Sequence, residues 1–169
     1  QLPSKYVLKT TNGCDCNVIS NGKYIADEDF IRLKLHRWLQ INHADICFEE
    51  HYRNIIPRII GEEYLENLDG DIHDYKVFCF HGEPKYIMYL CDRKKGLKMA
   101  FFDLEWHRMP FVYTYPECDD YIPKPDNLVK MLMLTRKLCA GFNHVRVDWY
   151  ILNDGSIKFG EMTFTSCGG

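Results

Sequence analysis

His144-Val-Arg146-Val-Asp148-Trp-Tyr-Ile-Leu-Asn153-Asp-Gly155-Ser-Ile-Lys-Phe159-Gly-Glu161-Met-Thr163-Phe-Thr165 is the stretch on which the reading of the chain turns. Two runs rich in β-branched and aromatic residues flank Asp154-Gly155, a dipeptide suited to the two-residue type I′ turn of a tight hairpin. With that turn Asn153 pairs with Ser156, Asp148 stands opposite Glu161, and Arg146 opposite Thr163. Side chains alternate faces along a strand. Arg146, Asp148 and Tyr150 therefore share a face with Phe159, Glu161 and Thr163, while Val147, Trp149 and Ile151 point the other way. Cross-strand Cβ atoms lie about 5 Å apart, and like charges at that distance repel. A cation between the carboxylates removes the conflict, and a hard divalent ion such as Mg²⁺ takes oxygen ligands while keeping positions open for phosphate oxygens. The plainer alternative is an exposed hairpin with two solvated acids and Arg146 as their neighbour. The pattern alone leaves both open.

The 169 residues, 46% hydrophobic and 27% charged, suit one domain with a buried core. A net charge of −3 creates no field for nucleic acid or an anionic membrane. No apolar run approaches the roughly 20 residues of a membrane span, and no charged-then-apolar leader opens the chain. A cytoplasmic protein is expected. The eight cysteines are scattered, and Cys79, Cys91 and Cys139 fall in apolar patterns where a free thiol packs as a small hydrophobe. Reduced thiols are expected. Cys14-Asp-Cys16 is the one close pair and lacks a second pair at zinc spacing. The chain opens on Gln and stops at Gly168-Gly169 in what reads as a loop, so a piece of a longer protein is expected.

Tyr6-Val-Leu-Lys9, the turn Thr10 to Asn17, and Val18-Ile-Ser20 read as strand, small-residue turn and return strand. Such a flap can bring backbone N–H groups to phosphates. Lys9, at its base, would carry a point charge for them, and Gly13 is the flap's one glycine. Read in isolation, Lys9 is a solvated strand-end lysine. Asp27 to Gln40 reads as a helix capped by Asp27, with Phe30, Ile31, Leu35 and Trp38 as its apolar stripe. His43 to Asn54 is polar and irregular and reads as a surface loop. Arg58 to Leu65 is a strand running to an acidic end at Glu62-Glu63.

Glu66 to His73 connects onward through Asp69-Gly70-Asp71, a triplet that could hold a metal–nucleotide-sugar complex or simply make a turn. Asp74 to Leu90 is a hairpin around Gly82-Glu83-Pro84. Asp74, Lys76, Phe78 and Phe80 share one face, so Lys76 beside Asp74 can neutralise phosphate charge above an aromatic floor. Lys98 to Asp103 extends the sheet, and Tyr113 to Pro125 is a loop over the site or on the surface. Pro125-Asp126 opens the clearest helix, with Asp126 as cap. Leu128, Met131, Leu132, Leu138, Cys139 and Phe142 follow i, i+3, i+4 spacing to Gly141.

Arg146-Val-Asp148 followed by Gly160-Glu161-Met-Thr163 resembles the closing hairpin of the ATP-grasp superfamily. With Asp74-Tyr-Lys76-Val-Phe-Cys-Phe-His-Gly82 upstream, the wording resembles the TupA-like branch, associated with cell-surface polysaccharide and teichuronopeptide synthesis. The resemblance implies ATP and Mg²⁺ as cofactors, with Asp148 and Glu161 holding the metal. The usual pattern has Asn two residues after the Glu. Thr163 stands there, a weaker ligand. The resemblance further implies that Glu62 and the backbones of Glu63 and Leu65 line an adenine pocket, that Asp74 holds the ribose hydroxyls, and that Lys9, Gly13, Lys76 and Phe159 complete the nucleotide contacts. It also implies a missing N-terminal region.

The expected fold is α+β and ATP-grasp: mostly antiparallel sheets with flanking helices, nucleotide between two subdomains, residues 1–65 forming the first and 66–169 the second. The implied reaction is ATP-dependent carboxylate–amine ligation through an acyl phosphate. Lys76 would offset the charge of the transferring group, and Arg146 would stabilise the acyl phosphate or the substrate carboxylate. Its partners would be ATP, a carboxylate substrate and an amine acceptor, an amino acid or polymer precursor. The alternatives are a glycosyltransferase using Asp69 and Asp71, and a nucleotide-binding module without catalysis.

Overall fold

In a computed structural model, which describes residues 3–23, 27–47, 49–67, 72–92, 95–118 and 121–166, the chain forms two compact units that divide after Leu65. The first is built on β1 (Lys5–Thr10), which pairs antiparallel with β2 (Asn17–Asn21) on one side and β3 (Ile59–Glu63) on the other. Helix α1 (Glu28–Leu39) starts where Asp27 Oδ1 accepts the Asp29 and Phe30 amides, satisfying donors that no helical carbonyl can reach. Ile31 and Leu35 pack with Leu8 of β1, and Trp38 flanks them. Phe30 falls outside the stripe, 61% exposed. The stretch after α1 is not the expected surface loop. It folds into α2 (His43–Cys47) and a 3-10 turn at Glu50–Tyr52, with His43 and Glu49 buried.

The second unit is a six-stranded sheet in the order β7-β6-β5-β4-β8-β9, every paired strand antiparallel to its neighbour. Its strands are β4 (Asp74–Phe80), β5 (Glu83–Cys91), β6 (Lys98–Phe102), β7 (Arg108–Met109), β8 (His144–Ile151) and β9 (Ile157–Thr163). The β4–β5 hairpin turns at His81-Gly82, not at Gly82-Glu83-Pro84. Both turn residues have positive φ, 53° and 77°, the type I′ geometry that matches the strand twist. Pro84 sits where the register shifts, a place that tolerates its missing N–H.

Helix α3 (Leu128–Cys139) covers one face of this sheet. Asn127, not Asp126, occupies its N-cap position, and the Asn127 amide donates instead to the Gly155 carbonyl of the β8–β9 turn. Leu128, Met131, Leu132 and Cys139 join Val77, Val147 and Trp149 in the main core. Thr135, fully buried, donates to the Met131 carbonyl and accepts the Trp149 indole N–H at 2.9 Å. That bond holds Trp149 against α3, so the alternating neighbour Asp148 must face the other side.

The β8–β9 turn differs from the expected two-residue loop. Leu152 N donates to Ser156 O, and Gly155 N to Leu152 O, so the loop is Asn153-Asp154-Gly155, with Gly155 at φ 77°. This is a turn followed by a left-handed glycine. The extra residue shifts the register, giving Trp149↔Phe159 and Tyr150↔Lys158. A bulge then restores the expected pairing, with Val147↔Met162 and Arg146↔Thr163. Gly160 and Glu161 together oppose Asp148. Glycine suits the first place, because a Cβ on Gly160 would crowd Asp148 O at 3.0 Å and the Tyr150 ring at 3.1 Å.

Candidate functional site

The bulge decides which side chains meet. Phe159 pairs with Trp149, and its ring packs edge-on against the indole at 5.7 Å. It therefore lies on the α3 face, opposite Asp148, and leaves the group in which the two-residue turn had placed it. Glu161 and Thr163, beyond the bulge, stay on the Asp148 face.

On that face, pairing in the sheet sets Lys76 opposite Asp148, Asp74 opposite Tyr150, and Phe78 opposite Arg146. Lys76 Nζ donates to Asp148 Oδ2 and lies 3.8 Å from Asp74 Oδ2. Arg146 donates to both Asp148 oxygens, at 2.7 and 2.8 Å, and its Nη2 reaches Glu161 Oε1 at 3.0 Å and Thr163 Oγ1 at 2.9 Å. The Thr163 hydroxyl donates in turn to Glu161 Oε1 at 2.8 Å. The cation standing between Asp148 and Glu161 is thus the Arg146 guanidinium.

Asp148 is 2% exposed, and an unpaired carboxylate so desolvated would cost several kcal/mol. Two cations that are themselves 14% and 13% exposed, Lys76 and Arg146, offset that cost. Glu161 is different: at 62% exposed it has one oxygen in the network and a side chain open to water. The two cations fall one charge short of the three carboxylates of Asp74, Asp148 and Glu161.

Carboxylates on Asp148 and Glu161 with a hydroxyl on Thr163 are the hard oxygen donors that Mg²⁺ takes, and Glu161 leaves room for outside ligands. Asp148 Oδ2 accepts from both Lys76 and Arg146, whereas Oδ1 accepts from Arg146 alone and keeps a second lone pair. The residues present fit a magnesium ion in kind.

Beside the charged strip the same face is apolar. Met88, Leu90, Met99 and Phe101 form a buried cluster, flanked by Phe78, Tyr86 and Met109. Phe78 stacks on Tyr86 at 4.8 Å. The aromatic floor expected from Phe78 is therefore wider than β4 alone. The residues that widen it come from β5, the hairpin partner of β4, and from β6, which extends the sheet.

In the first unit Lys9 Nζ pairs with Glu62 Oε2 at 2.6 Å, both about one-third exposed. Glu63 pairs with Tyr6 and points to the opposite face from Glu62, and Leu65 is half-buried just past the end of β3. The flap turn is tied down. The Asn12 amide donates to the Trp38 and Ile41 carbonyls, and Thr11 exchanges hydrogen bonds with Ile56 and Arg58. Gly13 lies so close to His43 that a Cβ would meet the imidazole at 2.1 Å. His43 also has Cys14 Sγ at 3.8 Å and Cys16 Sγ at 3.6 Å, and burial pushes the Cys16 thiol up. No local signal in the polar stretch after α1 marks His43 as the residue on which the flap rests. Asp69, Gly70 and Asp71 lie outside the described residues.

An acid on each strand of a closing hairpin in one unit, and a flap with a basal lysine in the other, make up the layout of an ATP-grasp domain. The chain belongs to the TupA-like ATP-grasp family, whose profile matches residues 1–169. Among solved structures it is similar to the L-amino acid ligase from Bacillus licheniformis, with a TM-score of 0.50 and 13% identity over 96% of this chain and 34% of that one. It is also similar to the ATP-grasp ligase PsnB, solved with a minimal precursor, Mg and ADP, with a TM-score of 0.42 and 9% identity over 98% of this chain and 38% of that one. The chain spans little more than a third of the length of these ligases. No curated protein matches it significantly. Among the described residues no helix is long and apolar enough to cross a membrane.

Proposed function

We propose that this chain is the ATP-binding part of an ATP- and Mg²⁺-dependent carboxylate–amine ligase, working on a cell-surface polysaccharide or teichuronopeptide precursor in the cytoplasm. The observation that carries the reading is the Lys76–Asp148–Arg146–Glu161 network on a sheet face that is otherwise apolar. Buried charge on an apolar surface is expensive unless it serves a ligand or a specific pairing. In this reading Asp148, Glu161 and Thr163 would hold the metal, which would supply positive charge to offset the negative charge of the phosphates. Lys76 offsets negative charge on the transferring phosphoryl group, and Asp74 accepts hydrogen bonds from the ribose hydroxyls.

Arg146 has a double task. Before ligand binds, its fork of donors bridges Asp148 and Glu161 and offsets their mutual repulsion. With substrate present it can turn donors to a carboxylate or acyl phosphate, which suits a planar bidentate group. Lys9 and the Gly13 turn contribute phosphate contacts, and Glu62 with the backbones of Glu63 and Leu65 lines the adenine pocket. The substrate carboxylate attacks the γ-phosphorus, ADP leaves, and an amine then displaces phosphate to form the amide. We read the two units as the two subdomains of one ATP-grasp domain.

Calorimetry with ATP, with and without Mg²⁺, tests this directly. Asp148→Asn and Glu161→Gln should each weaken Mg²⁺–ATP binding more than tenfold, about 1.4 kcal/mol. Because Glu161 is mostly exposed, its substitution should cost under about 1 kcal/mol of folding stability. Unchanged ATP affinity in a folded Glu161→Gln variant would end the metal assignment.

A further inference from the structure

Cys91, at the end of β5, and Cys118, on the segment after β7, both carry thiols, and their sulfurs lie 2.6 Å apart. Non-bonded heavy atoms first make good contact at about 3.5 Å, whereas a disulfide bond measures about 2.05 Å. The two sulfurs have already passed the distance at which separate thiols rest. The backbone sets this approach. Met99 of β6 pairs with Leu90 on one side. On its other side it takes the Cys118 amide at 2.8 Å and gives its own N–H to Pro116 O at 2.9 Å. Arg108 adds an ion pair to Glu117 at 3.0 Å and a hydrogen bond to the Cys118 carbonyl.

The segment so fixed has a position near the site. Met109 packs on the apolar cluster, and the Phe111 ring lies 5.6 Å from Phe101 and 5.9 Å from Tyr86, edge-on to both. We propose that Cys91 and Cys118, which pack in the core on the α3 side of the sheet, are an oxidisable pair that closes to an intrachain disulfide and so tethers the end of the strap of residues 108–118 to the end of β5.

A small-molecule disulfide is the oxidant. Cys91, half-buried, loses its proton and attacks one oxidant sulfur, and one reduced small thiol leaves. Cys118, 3% exposed, then loses its proton and displaces the second small thiol from Cys91. Two S–H bonds become one protein S–S bond, and the oxidant takes up two electrons and two protons. Burial pushes the Cys118 thiol up, which suits it to the second, intramolecular step, where proximity replaces thiolate abundance.

The test uses the wild-type chain with oxidised glutathione as probe, acid quench, unfolding, alkylation of remaining thiols and peptide mass mapping. The expected product is a peptide pair joined through Cys91 and Cys118, two hydrogens lighter than its parts and separated by dithiothreitol. Cys118→Ser should instead accumulate a glutathione adduct at Cys91. In the oxidised wild type, hydrogen exchange at the Cys118 and Met99 amides should slow at least tenfold. Both thiols alkylated after oxidation, stable glutathione adducts on both, or a bond between other cysteines would overturn the pairing. A bonded pair with unchanged exchange would overturn the tether. None of these readouts involves nucleotide, so their failure and a failure of the ligase reading are separate results.

Discussion

The two faces of the six-stranded sheet are drawn from alternate residues of the same strands, and they solve opposite problems. On one, Val77, Val147 and Trp149 meet α3 in a dry core where Thr135 accepts the Trp149 indole N–H. On the other, Lys76, Arg146 and Asp148 put three charges beside Met88 and Phe101. The first face is stabilised by burial of apolar side chains. The second is stable only through mutual pairing, and replacing such a network with apolar groups is often neutral or stabilising. A face kept charged at that cost is the one to assign to ligand. The lesson lies at Trp149 and Asp148, adjacent in sequence, where one clamps to the helix and thereby turns the other outward.

The comparison can be broken from the α3 side first. Trp149→Ala should destabilise the fold by about 3–5 kcal/mol, through the cavity and the orphaned Thr135 hydroxyl, in urea unfolding followed by fluorescence of the remaining tryptophans. A loss below about 1 kcal/mol would mean the two faces are not divided as described. Alkali probes the dryness of the same face. Tyr75 sits there against Tyr89 and Trp106, and burial pushes its phenol from 10 up to about 12. Between those pH values the folded state keeps a proton that the unfolded chain has released. The contribution is therefore complete below pH 10 and falls away as pH rises towards 12, by about 2–3 kcal/mol in all. Tyr75→Phe should flatten that part of the stability–pH curve, and identical curves would mean water reaches the ring.

The smallest expected effect sharpens the comparison at the bulge. Gly160→Ala places a Cβ 3.0 Å from the Asp148 carbonyl, forcing the strands apart at a cost of about 1–2 kcal/mol. Mg²⁺–ATP affinity should fall with it, since the bulge is what brings Glu161 to the Asp148 face. A variant with lower stability but full affinity would separate the bulge from the site.

Much of this site was legible before the fold. The Arg146–Thr163 pairing, the shared face of Asp74, Lys76 and Phe78, and the convergence of Asp148 with Glu161 all follow from alternation and a turn signal. The turn itself was not legible in detail. Asp154-Gly155 suits a two-residue loop, yet Asn127 of α3 holds Gly155 and the loop takes a third residue. The bulge at Gly160 absorbs the shift. Two departures cancel at Arg146 and do not cancel between the turn and the bulge, which is why Phe159 leaves the Asp148 face. His43 is the counterpart in the first unit: a polar stretch reads as loop, and only packing on Gly13 makes it structural.

The sequence by itself determined the strands other than β7, the two long helices, the family wording and the residues that carry charge, because each depends on local period, capping or turn chemistry. Tertiary structure alone decided that Arg146 bridges the two carboxylates, that Phe159 belongs to the core side, and that Cys91 meets Cys118. Those outcomes depend on register and on which strands lie side by side, and both are set by contacts between residues far apart in the chain.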